Sequence, residues 1–119
     1  MLGIFLKKLG YRVELAGSFR EAVELAVSAQ ERFDLLLSDL QLPDGDGWSL
    51  LRHLEKVGCR PLQAIALSGW ARGDDKIKSQ TAGYRAHLVK PAAPQLLGKA
   101  LRSAAEAIST AQRATVLLR

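Results

Sequence analysis

A chain of 119 residues, 48% of them apolar, is long enough to bury one core, and no stretch of it reads as a linker between two bodies, so a single domain over 1–119 is the expectation. Its one cysteine, Cys59, excludes a disulfide framework within the chain, and no Cys/His spacing suggests a metal cage; a reducing, cytoplasmic setting fits. The net charge of +5 is spread from Lys7 to Arg119 without a dense block, which reads as solvated surface rather than as a face for nucleic acid.

Residues 2–9 carry Leu2, Phe5, Leu6 and Leu9 at i, i+3, i+4 and i+7, the last turns of an amphipathic helix stopped by Gly10. That segment is too short to span a bilayer and has no small-residue cleavage site, so neither a targeting segment nor a membrane partner is expected. YRVEL (11–15) alternates like a short strand. Ser18 and Glu21 form a capping-box pattern ahead of Phe19, Ala22, Val23, Ala26 and Val27, which predicts a helix over 19–29. FDLLLS (33–38) is too short and too apolar for a helix and suits a strand buried on both faces. After the loop PDGDG, a helix begins at Gly47 or Trp48, carries Leu50, Leu51, Leu54 and Val57, and closes near Gly58 and Pro61.

QAIALS (63–68) repeats the buried-strand pattern, GWARGDD reads as loop, and a polar, weakly patterned helix follows over 74–82. AHLV (86–89) is a short strand and KPAAP a turn. Leu96, Leu97, Ala100, Leu101, Ala104, Ala105 and Ile108 mark a long last helix. Strands that alternate with helices predict an α/β fold, a parallel sheet covered on both faces by right-handed crossovers. In such sheets the reacting group lies just beyond the carboxyl ends of the strands. Asp39, Ser68 and Lys90 fall at three such ends.

A carboxylate, a hydroxyl and an ammonium at one rim suit phosphoryl transfer to an acyl oxygen. Asp39 attacks, Lys90 holds an oxygen of the incoming group, and Ser68 donates to another. Taken singly, each residue also has a plain role: a loop cap, a strand-end hydroxyl, a surface charge. Their placement at successive strand ends favours the joint reading.

From about residue 11 to residue 108 the chain resembles the receiver domains of two-component signalling, the response-regulator family. DLLLSDLQLPDGDG is similar to the family's strand and loop around the phosphorylated aspartate, AIALSG to the strand with the switch hydroxyl, and HLVKP to the last strand with its lysine and proline. The resemblance implies a flavodoxin-like, three-layer α/β/α fold with Asp39 as phosphoacceptor and Ser68 as switch hydroxyl. It further implies Mg²⁺-dependent transfer from a histidine kinase or histidine phosphotransfer domain, and a cis peptide before Pro91. His87 stands where the family usually places an aromatic switch residue, and reads equally as a half-exposed strand residue. AHLVKP with IALSGW looks more like the receivers of hybrid histidine kinases than like those fused to DNA-binding domains. His53 reads as surface, Trp48 as packing at a helix start, Trp70 as a shield or anchor, and Asp44 and Asp46 as loop caps.

One departure is large. The family opens with a strand that ends in two adjacent acids and lies centrally in the order 2-1-3-4-5, and this chain starts after both. The metal donors left are Asp39, a backbone carbonyl near Gln41, and water, which predicts weakened or absent Mg²⁺ binding. A missing central strand also leaves two rows of backbone groups unpaired. Three readings answer this: the physiological chain begins earlier than Met1; RATVLLR (113–119), with the strand-like TVLL, enters the vacant slot from its own chain or by exchange with a second copy; or the tail prolongs the last helix. A receiver of this kind is expected to be dimeric or poorly stable as a monomer. Functionally, a phosphoacceptor receiver competes with a degenerate receiver that serves as a phosphorylation-independent interaction module. A small hydrolase with an aspartate nucleophile is a weaker third reading, because Gln41 stands where its second acid belongs.

Overall fold

The computed structural model describes residues 12–29, 33–69, 74–90, 94–107 and 115–118. Its elements in chain order are β1 (Arg12–Leu15), α1 (Phe19–Ser28), β2 (Leu35–Asp39), β3 (Gln41–Leu42), β4 (Gly45–Asp46), α2 (Gly47–Lys56), β5 (Gln63–Ser68), α3 (Asp75–Ala82), β6 (Ala86–Val89), α4 (Pro94–Ala107) and β7 (Thr115–Leu118). The helix expected over 2–9, Trp70 and the Lys90–Pro91 peptide bond lie outside the described residues.

Local chemistry sets the helix boundaries. Ser18 Oγ accepts from Glu21 N at 3.1 Å, satisfying a donor that the first turn of α1 leaves open, while Glu21 Oε2 reaches back to accept from Gly17 N, ahead of the cap, at 3.1 Å. Asp46 Oδ1 does the same for α2 by accepting from Ser49 N at 2.7 Å. α3 ends at Gly83, whose φ of 111° is a conformation that side-chain-bearing residues rarely adopt.

The sheet has five strands in the order β1-β7-β2-β5-β6, all parallel. Side chains alternate across it, which is why LLL in β2 is buried throughout. Leu36, Ala64 and Ala66 face a core shared with Ala22, Leu50, Leu51, Leu54 and Tyr84. Leu35, Leu37, Ile65 and Leu67 face the other way, onto Leu97 and Leu101 of α4. Helices cover both faces, giving the expected flavodoxin-like three-layer architecture.

Two features differ from the sequence reading. PDGDG is not wholly loop, because Gln41 pairs with Asp46 and Leu42 with Gly45 in a small antiparallel hairpin closed by Pro43 and Asp44. The tail does not prolong the last helix. α4 ends at Ala107, and Thr115–Leu118 lies between β1 and β2 as a central parallel strand. Val116 is in register with Val13 on one side and with Leu35 on the other. The spatial order is therefore the anticipated 2-1-3-4-5, with a strand from the far end of the chain in the central place. Satisfying two rows of buried backbone donors and acceptors outweighs the helical stripe that the tail also carries.

Candidate functional site

β2, β5 and β6 run side by side, so their carboxyl ends form one rim. The registers Asp39↔Leu67 and Ser68↔Val89 bring Asp39, Ser68 and Lys90 to that rim. Main-chain bonds fix the ends: Leu40 N donates to Leu67 O at 2.8 Å, and Lys90 N donates to Ser68 O at 2.7 Å.

The Lys90 ammonium donates to Asp39 Oδ2, and Gln41 N donates to Asp39 Oδ1 at 3.1 Å. The Asp39 side chain is 17% exposed and that of Lys90 45%, so the carboxylate is sheltered yet open to an incoming group. Gly47 lies against Asp39. A Cβ there would come within 2.9 Å of Asp39 O and within 2.9 Å of Leu40 Cδ2, so only glycine lets α2 start so close to the end of β2. Beside the pair opens a cleft of about 420 Å³ lined by Leu40, Gln41, Asp46, Trp48, Ser68 and Asp75, among others.

Ser68 reaches the rim but its hydroxyl is engaged sideways, 2.8 Å from His87 Nε2. His87 Nδ1 lies 2.9 Å from Ser79 Oγ, and Ser79 Oγ accepts from Trp48 Nε1 at 2.9 Å. Burial lowers the pKa of His87; the charge of Asp75 pulls it up, that of Lys76 pushes it down, and a hydrogen bond to the Asp75 main chain raises it. Sequence reasoning singled out His87 but missed Ser79, which is buried although it sits in a helix of weak pattern. A small hydroxyl on the inward face was the only signal.

Asp44 and Asp46 are caps. Asp44 accepts from Phe19 N at 2.7 Å and from Arg20 N at 3.1 Å, tying the β3–β4 hairpin to the start of α1. His53 is half-buried rather than a surface residue, its ring 5.8 Å from that of Phe19. Among the described residues no three His, Cys, Asp or Glu side chains come together as metal ligands. The donors that the rim offers a divalent cation are Asp39, both of whose oxygens already accept hydrogen bonds, and the Gln41 main chain. Mg²⁺ takes near-octahedral oxygen coordination, filled by one or two carboxylates and several waters, so a site with Asp39 as its one carboxylate among the described residues would hold it weakly.

The model of the response regulator receiver domain matches residues 1–102. The chain is 37% identical over 95 residues to the signal transduction histidine-protein kinase BarA of Escherichia coli, covering 76% of this chain and 10% of that kinase. It spans less than half the length of several curated relatives that it matches. Among solved structures, a CheY-like response regulator receiver domain protein from Methanospirillum hungatei superposes with a TM-score of 0.74 at 32% identity, over 89% of this chain and 83% of that one. A response regulator protein from Burkholderia pseudomallei, crystallised with a phosphorylated aspartic acid, a calcium ion and citrate, superposes with a TM-score of 0.73 at 29% identity, over 91% of this chain and 62% of that one.

Proposed function

Because the chain belongs to the response-regulator receiver family of two-component signalling, we propose that Asp39 is a phosphoacceptor, supplied by the phosphohistidine of a histidine kinase or a histidine phosphotransfer domain. An oxygen of the Asp39 carboxylate attacks phosphorus, the bond from phosphorus to the donor's imidazole nitrogen breaks, and that nitrogen keeps the electron pair. Lys90 is placed to take up charge on the phosphoryl oxygens as it now takes up that of the carboxylate. The observation that carries the reading is the pairing of Asp39 with Lys90 at the shared rim. A phosphorylated aspartic acid in the Burkholderia pseudomallei relative is in keeping with it. The chain acts as a signalling domain within the cytoplasm rather than as an enzyme in its own right.

Receiver domains typically bind Mg²⁺, and among the described residues no three His, Cys, Asp or Glu side chains come together to hold it. That observation favours a second reading, a receiver that docks on its partner without phosphate. Incubation with acetyl phosphate, followed by the mass of the intact chain, separates the two. Gain of one phosphoryl group that is lost in Asp39→Asn supports the acceptor; no gain at any divalent-cation concentration leaves the docking module.

A further inference from the structure

The first turn of α1 is completed by a residue from elsewhere in the chain. A helix start leaves its first N–H groups without partners inside the helix. Here Glu21 N is met by Ser18 Oγ at 3.1 Å, and Ala22 N reaches Ser18 O at 3.0 Å as the first bond of the helix. The two donors that remain, Phe19 N and Arg20 N, are both met by Asp44, through Oδ1 at 2.7 Å and Oδ2 at 3.1 Å. Glu21, the nearest acid in sequence, is turned to Gly17 N instead. One carboxylate thus bridges two consecutive N–H groups at the positive end of the helix dipole, with a charge-assisted bond in each arm.

Asp44 stands at the turn of the β3–β4 hairpin. The hairpin has only two residue pairs, Gln41↔Asp46 and Leu42↔Gly45, and a two-stranded ribbon of that size does not hold its shape in water unaided. Its hold on the body comes from outside contacts. Leu42 is buried, Asp46 meets Ser49 N and Ser49 Oγ at 2.7 and 3.2 Å at the base, and Asp44 meets α1 at the tip. The tip also lies close on α1, since a Cβ on Gly45 would come within 2.9 Å of Phe19 Cδ2. Gln41, in the first strand of this hairpin, is the residue whose N–H donates to Asp39 Oδ1 at 3.1 Å, leaving Oδ2 to Lys90. Those two bonds fix which way the Asp39 carboxylate faces.

We propose that Asp44 is a positioning residue for Asp39: by seating the hairpin on the first turn of α1 it holds the Gln41 N–H against one carboxylate oxygen, so that the other is presented to Lys90 and to the incoming phosphoryl group. The proposal rests on the phosphoacceptor reading for its effect on rate but not for its geometry. The start of α1 thereby sets the aim of a carboxylate that lies on another element.

Ser18 supplies the control, because Ser18→Ala takes a cap from the same turn of α1 without removing a bond to the hairpin. In NMR of the full chain without phosphate, Asp44→Ala shifts the Gln41 amide resonance and raises its hydrogen-exchange rate by on the order of tenfold, while Ser18→Ala leaves both at their parental values. An unmoved Gln41 amide in Asp44→Ala overturns the proposal. So does an equal change in Ser18→Ala, which would make the effect one of a looser α1. Where Asp44→Ala fails to fold, Asp44→Asn, which keeps one accepting oxygen for the two N–H groups, gives the same test: a smaller shift in the same direction supports the proposal and none overturns it. With acetyl phosphate, followed by phosphoryl mass on Asp39, Asp44→Ala reacts about tenfold more slowly and Ser18→Ala keeps the parental rate. A parental rate in Asp44→Ala despite a displaced Gln41 overturns the positioning role. A parent chain that gains no mass refutes the acceptor reading alone, and the seating of the hairpin is then decided by the Gln41 amide.

Discussion

Leu118 of β7 is in register with Leu15 of β1 on one side and with Leu37 of β2 on the other, so a strand from the end of the chain holds together two strands that come before it. Among the described residues β1 has no other sheet partner than β7, and β2, which carries Asp39, has β7 as one of its two. Proline at Val116 removes a main-chain donor in the middle of this central strand. Val116→Pro is expected to lower the stability to urea by at least about 2 kcal/mol, the order of the cost of leaving a buried main-chain group unpaired plus the strain of the ring. An unchanged unfolding midpoint would show that the strand is dispensable.

Gly47→Ala tests the close approach of α2 to Asp39. The added methyl meets main-chain atoms, Asp39 O at 2.9 Å and Leu40 Cα at 3.1 Å, which cannot swing away as a side chain can. A loss of about 1–3 kcal/mol is expected, together with slower phosphoryl transfer because the end of β2 must shift. Denaturation and transfer rates are measured on the same preparation; a variant of parental stability and rate contradicts the packing described.

Tyr84 gives the fold an alkaline limit. Its hydroxyl, buried under α2, donates to Gly47 O at 2.6 Å, and burial chiefly, with the charge of Asp46 adding and a hydrogen bond to Ser38 opposing, pushes its pKa well above the ordinary value of 10.0. The unfolded chain ionises this phenol near pH ~10 while the folded chain keeps it protonated. Its contribution is thus fully present below pH ~10 and is lost as pH rises beyond that. Tyr84→Phe should cost about 1–3 kcal/mol at neutral pH and flatten the fall in stability above pH ~10. A parental slope in the variant would assign the alkaline limit to another group.

Much of this architecture was open to reading from the residues. QAIALS and AHLV occupy the strands read for them, because short apolar runs bounded by turn residues have few other ways to be buried. Ser18 and Glu21 start the helix that their spacing announces. The meeting of Asp39 and Lys90, far apart in the chain, followed from parallel topology and not from any local pattern. What stayed hidden depended on tertiary balance. TVLL is compatible with helix and with strand, and only the unpaired edges of β1 and β2 decide between them. Likewise Ser79 is an unremarkable residue of a polar helix until folding sets it between Trp48 and His87.

The phosphoacceptor is tested most directly by trapping. After incubation with a phosphorylated histidine phosphotransfer domain, borohydride reduces an aspartyl phosphate to homoserine, and peptide sequencing by mass spectrometry locates it. Homoserine at position 39, absent from Asp39→Asn and reduced in Lys90→Ala, is the predicted result. Homoserine at Asp44 or Asp46 instead, or none while the donor loses its phosphoryl group to the chain, would contradict it.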